Sequence, residues 1–168
     1  KPMLEETLIL FRNIRTSGYE GTLDSYRKAG GYQSLLKALA MQPEDVIALV
    51  KEAGLRGRGG AGFPTGLKWS FMAKNTGKPS YLVCNADESE PGTCKDRELM
   101  LKDPHLFLEG MMIGCYALGC HHGYIYVRGE YFPAIKSLNK AIDDCYRAGI
   151  LGPKLLGGDY ALDLTVHT

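Results

Sequence analysis

Two short segments concentrate the residue types that could do chemistry. In Gly57 to Gly66, GRGGAGFPTG, five of ten residues are glycine and one is proline, so no regular element can form and the segment is a loop. Missing Cβ atoms let backbone N–H groups come close to an anion or a flat ring, and Arg58 and Lys68 add positive charge. Gly57, Gly59 and Gly62 fit G-x-G-x-x-G. A dinucleotide fingerprint, however, follows a strand and opens a helix. Here the loop follows a helical pattern, and the first acid of the next polar segment, Asp87, lies 25 residues past Gly62. Phosphate binding, aromatic-ring binding and a plain surface turn with Phe63 and Trp69 as packing residues all stay open. The second segment, Asn85 to Glu90, sets one amide and three carboxylates at the end of a strand pattern. An amide both donates and accepts, so it suits a heterocycle edge or a phosphate. Carboxylates accept from ribose hydroxyls or a carboxamide NH₂. The alternative is a solvated acidic turn in which Asp87 caps local amides and Lys95, Asp96 and Arg97 pair with the acids. Arg128, Gly129 and Glu130 end the next strand pattern and are lesser candidates for the same site.

Other chemistries find little support. The sequence has no GxxxxGK[ST] phosphate loop, no GxSxG elbow, no HExxH and no CxxC pair. Cys115 and Cys120 are five apart on an expected helix, roughly 140° around its axis, so they share no face. His121 and His122 are adjacent, and no metal site is expected in this chain. His105, just after Asp103, reads as a capping or packing residue. The five cysteines suit free, mostly buried thiols in a reducing compartment.

The positioning elements read from pattern and punctuation. Helical patterns cover Leu23 to Lys28 and Gln33 to Ala40, separated by Gly30-Gly31. A third helix starts at Pro43, carries Glu44 and Asp45 at its positive end, stops at Gly54 and buries Val46, Ile47, Leu49 and Val50. Lys68 to Met72 is expected to open a short helix. Tyr81 to Cys84 reads as a strand; Asp103 as cap and Pro104 begin an apolar helix, Leu106 to Leu118, in which Gly110 and Gly114 allow close packing. Tyr124 to Val127 is a second strand. Ile135, Leu138, Ile142 and Cys145 mark an amphipathic helix ending at Gly149, and Asp163 to His167 is a third strand. Strand, helix, strand, helix, strand predicts an α/β unit with a mostly parallel sheet and ligands at the strands' C-terminal ends.

Composition sets outer limits. Lys+Arg 20 against Asp+Glu 19 leaves +1, too little to hold a nucleic acid or an anionic membrane surface electrostatically. Hydrophobic residues at 45% suit a packed globule. The longest apolar stretch, Leu106 to Gly119, contains Glu109 and is shorter than the roughly 20 residues of a membrane-spanning helix. The chain, running from Lys1 to Thr168, is expected to be part of a longer protein without a secretory leader.

Four blocks, LRGRGGAGFPTGLKWSF (Leu55 to Phe71), YLVCNADESEPGTCKDRELM (Tyr81 to Met100), PHLFLEGM (Pro104 to Met111) and YIYVRGEY (Tyr124 to Tyr131), resemble the flavin-bearing, NADH-oxidising subunit family of respiratory complex I, the NADH-quinone oxidoreductase. The similarity runs from about Leu23 to the end of the chain. Diaphorase subunits of NAD-linked hydrogenases and formate dehydrogenases share these blocks, so such a diaphorase is the alternative. A non-redox nucleotide-binding or scaffold module that kept the glycine loop is a third reading.

The resemblance implies a Rossmann-like α/β domain holding FMN in a cleft with NADH stacked over it. Residues 1–42 would be a helical lead-in, and 43–168 the N-terminal part of the FMN and NADH domain. Gly57, Arg58, Gly59 and Lys68 would contact FMN, joined by Asn85, Asp87, Glu88 and Ser89. Gly60 and Ala61 would leave room for the nicotinamide, Phe63 and Phe71 would stack on the adenine end, and Glu90 would bind NADH. Hydride would pass directly from NADH to FMN with no catalytic acid or base, and electrons would leave singly for iron–sulfur clusters toward quinone. The resemblance implies that the family's 4Fe-4S cluster belongs to a further domain, and that this domain, a second flavin-contacting glycine stretch and a ubiquitin-like domain are expected outside these 168 residues. Implied partners are a 2Fe-2S thioredoxin-like subunit and other peripheral-arm subunits. The implied place is cytoplasmic, peripheral to the inner membrane and not inserted in it, or the matrix side in a mitochondrion. On this reading Gly60→Leu abolishes NADH oxidation and spares the fold.

Overall fold

Three strands, β1 (Tyr81–Ala86), β2 (His122–Val127) and β3 (Asp163–His167), pair in parallel in the order β1-β2-β3. The computed structural model describes residues 7–73 and 76–168, so the first six residues of the expected lead-in lie outside the described residues. The register aligns Tyr81 with His122 and Asp163, and Val83 with Tyr124 and Thr165. Alternation along β2 is strict: Gly123, Ile125 and Val127 are buried, and His122, Tyr124 and Tyr126 are exposed. One face of the sheet therefore meets the core, and the other carries Tyr81, Val83, Tyr124 and Tyr126 toward solvent.

The helices are α1 (Leu23–Lys28), α2 (Gln33–Leu39), α3 (Pro43–Glu52), α4 (Thr65–Ser70), α5 (Lys95–Lys102), α6 (Pro104–Leu118) and α7 (Phe132–Arg147), with a 3₁₀ turn at Leu155–Gly157. Local chemistry fixes several ends as expected. Pro43 and Pro104 open α3 and α6; Gly54, Gly119 and Gly149 take positive φ just beyond α3, α6 and α7. After α6, the Cys120 N–H donates to the Cys115 carbonyl at 2.8 Å, closing the last turn.

Four local expectations need correction. Leu49 is 53% exposed, because it lies roughly 110° around the helix from the centre of the Val46, Ile47 and Val50 face. The helix expected at Lys68 to Met72 begins earlier, at Thr65: the Lys68 N–H already bonds the Pro64 carbonyl at 3.0 Å, and Phe71 and Met72 only complete the closing turn. Asp103 occupies the cap position of α6, but its carboxylate accepts from Asn13 Nδ2 at 2.9 Å and from the Tyr19 hydroxyl and makes no capping bond. Of the two α6 glycines, Gly114 is the one that permits close approach, since a Cβ there would meet Leu82 Cδ2 at 3.1 Å and the Trp69 ring at 3.5 Å; at Gly110 it would meet nothing.

The core lies between the sheet and α6 and α7, centred on Leu108, Met112, Ile125, Leu138, Ile150 and Leu162. Cys115, Cys120 and Cys145 are buried and unbridged; burial pushes the Cys115 thiol up to about 12 and Cys145 to about 11, so both stay protonated. Three polar side chains of the α6 region are also buried: Asp103, His105 and Glu109. Glu109 accepts from the backbone amides of Tyr32 and Leu35, each at 2.8 Å, and from the Tyr26 hydroxyl. His105 Nδ1 lies 2.8 Å from the Tyr32 hydroxyl, which also meets Cys145 Sγ at 3.1 Å.

Burial lowers the His105 pKa from the ordinary 6.5 to about 4. A depressed imidazole stabilises the fold fully above its unfolded pKa, and the contribution is lost as pH falls toward 4. That gap corresponds to about 3 kcal/mol by linkage. In His105→Gln the extra loss of stability between pH 7 and pH 4 should therefore shrink by about that much, read from urea midpoints at the two pH values. Equal pH dependence in the two proteins would overturn the assignment.

Candidate functional site

The glycine loop is a narrow excursion pinned at its base. Arg56 and Pro64 form an antiparallel bridge, Gly57 N–H donates to the Phe63 carbonyl at 2.9 Å, and Thr65 N–H donates to the Leu55 carbonyl at 2.8 Å. Arg56 Nη1 reaches across to the Gly62 carbonyl at 3.1 Å. Inside the loop the glycines separate into two kinds. Gly60 and Gly62 have φ of 109° and 61°, which L side chains rarely adopt, so the turn itself needs glycine there. Gly57 and Gly59 lie outside the left-handed region. A Cβ on Gly59 would meet nothing within 4 Å, and one on Gly57 would come no closer than 3.7 Å to the Phe63 carbonyl oxygen. Nothing within the described chain requires glycine at position 59. The side-chain-free surface there faces open space.

That space is a cleft of about 530 Å³ between the loop, α4 and the first half of β1. Gly57, Gly59, Ala61, Gly62 and Phe63 line it from the loop, Lys68 and Trp69 from α4, and Tyr81, Leu82 and Val83 from β1. Phe71 stands beside it, with ring centroids 6.4 Å from Phe63 at an interplanar angle of 56°. Arg58 and Gly60 belong to the same loop but do not line the cleft. Gly66 holds α4 against α3, since a Cβ there would lie 2.5 Å from the Lys51 backbone nitrogen.

The acidic segment lies at the other end of β1. Tyr81, Val83 and Asn85 all point to the exposed face, spanning roughly 13 Å of strand from the cleft to the first polar residue. Asn85 Oδ1 accepts from the Asp87 N–H at 3.0 Å, a local turn. Ser89 and Glu90 are exposed. Glu88 is 7% exposed and turns inward: its carboxylate accepts from the backbone amides of Asp96 and Arg97 at 3.1 Å each and lies 3.7 Å from Lys95 Nζ. It therefore caps the start of α5 from outside the helix. The expected pairing among Lys95, Asp96 and the acids is present, with Lys95 Nζ 2.7 Å from Asp96. Asp87 Oδ1 is buried and receives no hydrogen bond. Behind the strand, burial pushes the Cys84 thiol up to about 11, with Asp96 adding to the rise, so this sulfur is no nucleophile.

The structure thus gathers Gly57, Gly59, Ala61, Phe63, Lys68 and Phe71 around one cleft, and sets Asn85, Asp87, Glu88, Ser89 and Glu90 as a second group beyond it on the same strand. Sequence reasoning missed Tyr131, whose hydroxyl donates to the Glu88 carbonyl at 2.8 Å; Arg128, a lesser candidate there, has its Nε 3.6 Å from Asp87. Their common signal was position: both lie in the short connection from β2 to α7, beside the end of β1.

Residues 50–168 match the family described as the Nuo51 FMN-binding domain. The chain is 58% identical over 146 residues to an NADH-quinone oxidoreductase subunit of Streptomyces coelicolor, covering 87% of this chain and 32% of that protein. It is 51% identical over 165 residues to an NADH-quinone oxidoreductase subunit of Salmonella typhimurium, covering 97% and 37%. Among solved structures it is similar to an NAD+-reducing [NiFe]-hydrogenase in the H2-reduced state, with a TM-score of 0.64 and 37% identity over 74% of this chain and 20% of that one. The chain spans about a third of the length of these curated relatives.

The two kinds of glycine predict opposite results. Gly62→Ala should lower stability by about 1 kcal/mol through the left-handed backbone. Gly59→Ala should change it by less than about 0.5 kcal/mol. Gly60→Leu should likewise cost stability, since its φ of 109° strains any side chain, although a Cβ there would meet nothing within 4 Å. Urea unfolding of the two alanine variants checks the distinction, and equal losses would refute it.

Proposed function

The chain belongs to the Nuo51 FMN-binding domain family, and we propose on that footing that it forms part of the flavin- and NADH-holding domain of a complex I type NADH dehydrogenase subunit. The observation that carries the reading is the open glycine cleft beside β1, whose strand leads directly to a buried carboxylate oxygen with no donor. Both features fit FMN. A flat ring or a phosphate can approach the bare backbone at Gly57 and Gly59, and Asp87 is an acceptor in want of a donor.

In this reading Gly57, Arg58, Gly59 and Lys68 hold FMN from the loop and α4, and Asn85, Asp87 and Ser89 hold it from the end of β1. Glu88 keeps its carboxylate on α5, so its part in FMN binding is confined to the backbone of the loop it anchors. Gly60 and Ala61 keep the nicotinamide's space free, Phe63 and Phe71 stack on the adenine, and Glu90 accepts from NADH hydroxyls. FMN, when bound, supplies the hydride acceptor and the conversion to one-electron transfer. The protein's own contribution is orientation and the exclusion of water from the reacting faces. No acid or base of the chain is required.

The electron path continues into iron–sulfur clusters held elsewhere, including a 4Fe-4S cluster in the remaining part of the subunit. Partner subunits, a 2Fe-2S thioredoxin-like one among them, dock on the subunit in a complex peripheral to a membrane. Among the described residues no helix is long and apolar enough to cross one. The likeness to the NAD+-reducing hydrogenase keeps a soluble diaphorase as the second reading; the subunits that co-purify with the protein distinguish the two.

The test is the visible spectrum of the full-length subunit reconstituted with FMN, before and after anaerobic NADH. Flavin bands that bleach with NADH, and much less with NADPH, are the expected result; a folded subunit that retains no flavin overturns the reading. Phe71→Ala should keep FMN and raise the KM for NADH about tenfold, the loss of one stacking contact.

A further inference from the structure

Resting on the FMN-binding reading, we propose that Arg128 is a positioning residue of the cleft, which fixes the Asp87 carboxylate from the neighbouring strand. The parallel register ends on the pair Ala86 and Val127, so Asp87 and Arg128 are the next residues out on their two strands and leave the sheet at one level. Arg128 Nε lies 3.6 Å from Asp87 Oδ1, the buried oxygen that no hydrogen bond reaches. Its other acid, Glu130, is 3.8 Å away, but that side chain is 78% exposed, so solvent screens the second pair more than the first.

The same turn grips the loop at a second point. Tyr131 N–H donates to the Arg128 carbonyl at 2.9 Å, and the Tyr131 hydroxyl donates to the Glu88 carbonyl at 2.8 Å. Glu88 in turn is anchored to α5 through the amides of Asp96 and Arg97. The backbone of the acidic loop is thus held by Tyr131 and α5. The Asp87 carboxylate, by contrast, is held by charge alone. A 3.6 Å ion pair attracts without the directional demand of a hydrogen bond, and so leaves Oδ1 free to accept from a ligand's N–H or O–H. Arg128 touches no substrate; it acts through Asp87.

The experiment uses the full-length subunit and two readouts. The first is FMN affinity by flavin-fluorescence titration in a double-mutant cycle. Arg128→Gln and Asp87→Asn should each weaken FMN binding about tenfold, the double variant no more than either single one, and Arg128→Lys should recover to within about threefold of the parent. The second is a crystal structure of the apo-subunit carrying Arg128→Gln, in which the Asp87 carboxylate should leave its position in the parent while the backbone of residues 86–90, held by Tyr131 and α5, keeps its place. Parental FMN affinity in Arg128→Gln, additive losses in the double variant, or an Asp87 carboxylate that keeps its parental position without Arg128 each overturn the proposal. A parent subunit that binds no FMN overturns the functional reading, and the apo-structure comparison then still decides whether Arg128 holds the Asp87 carboxylate.

Discussion

The fold depends on a single buried carboxylate, that of Glu109 in the middle of α6. It meets the amides of Tyr32 and Leu35 and the Tyr26 hydroxyl, three donors from a segment 74 to 83 residues earlier in the chain. Tyr32 precedes α2 in a left-handed conformation, φ 64°, that a bulky side chain adopts only under constraint. Having no cap of its own, α2 receives one from Glu109, which satisfies the amides at its start. Burying a charge is costly unless hydrogen bonds surround it, and here each bond is also a tether between the lead-in and the central helix. Asp103, one residue before α6, repeats the arrangement with Asn13 and Tyr19. Helix α6 is thereby fixed against the N-terminal helices by its polar residues and against the sheet by its apolar ones.

From α6 the constraint passes to the cleft by close contacts that glycine permits. Gly114 admits Leu82 of β1 and the ring of Trp69, and Gly123 of β2 admits Cys115 and Met111 of α6. Trp69 belongs to α4, which Gly66 presses onto the backbone of α3. The glycine loop springs from the junction of α3 and α4, so its base has little freedom. The tip keeps its freedom from side chains. A rigid base with a bare tip is what close approach to a ligand backbone requires, because the ordering is complete before the ligand arrives.

Much of this was legible in the sequence where the cause is local. Strand positions followed from alternation, and helix ends followed from Pro43, Pro104, Gly54, Gly119 and Gly149, whose effects reach only a few residues. The irregularity of Gly57 to Gly66 was legible for the same reason. What the sequence hid were relations between distant residues. Glu109 looked like a charge interrupting an apolar helix and is the cap of another helix; Asp103 looked like a cap and is bound to Asn13 and Tyr19. Glu88 looked like one of several acids open to a ligand, yet its partners are the amides of α5, an element that no strong apolar period announces. Which glycines serve the turn and which leave space was likewise invisible, since both kinds read as the same letter and differ only in φ and surroundings.

The uncovered face of the sheet and the candidate site share residues. A parallel sheet is ordinarily covered on both sides. Here α6 and α7 pack into one core with the buried residues of β2 and β3, and the opposite face is left with an aromatic row: Tyr81, Tyr124 and Tyr126, with His122 and His167 in ring contact along it. Tyr81 and Val83 of that face also line the glycine cleft. Val83, 62% exposed, and its aromatic neighbours offer apolar surface that a flat or apolar group can cover. The loop side of the cleft offers backbone amides and charge, and the strand side offers aromatic and branched carbon. A ligand that is planar and apolar at one end and anionic at the other satisfies both walls at once, which neither wall alone would specify.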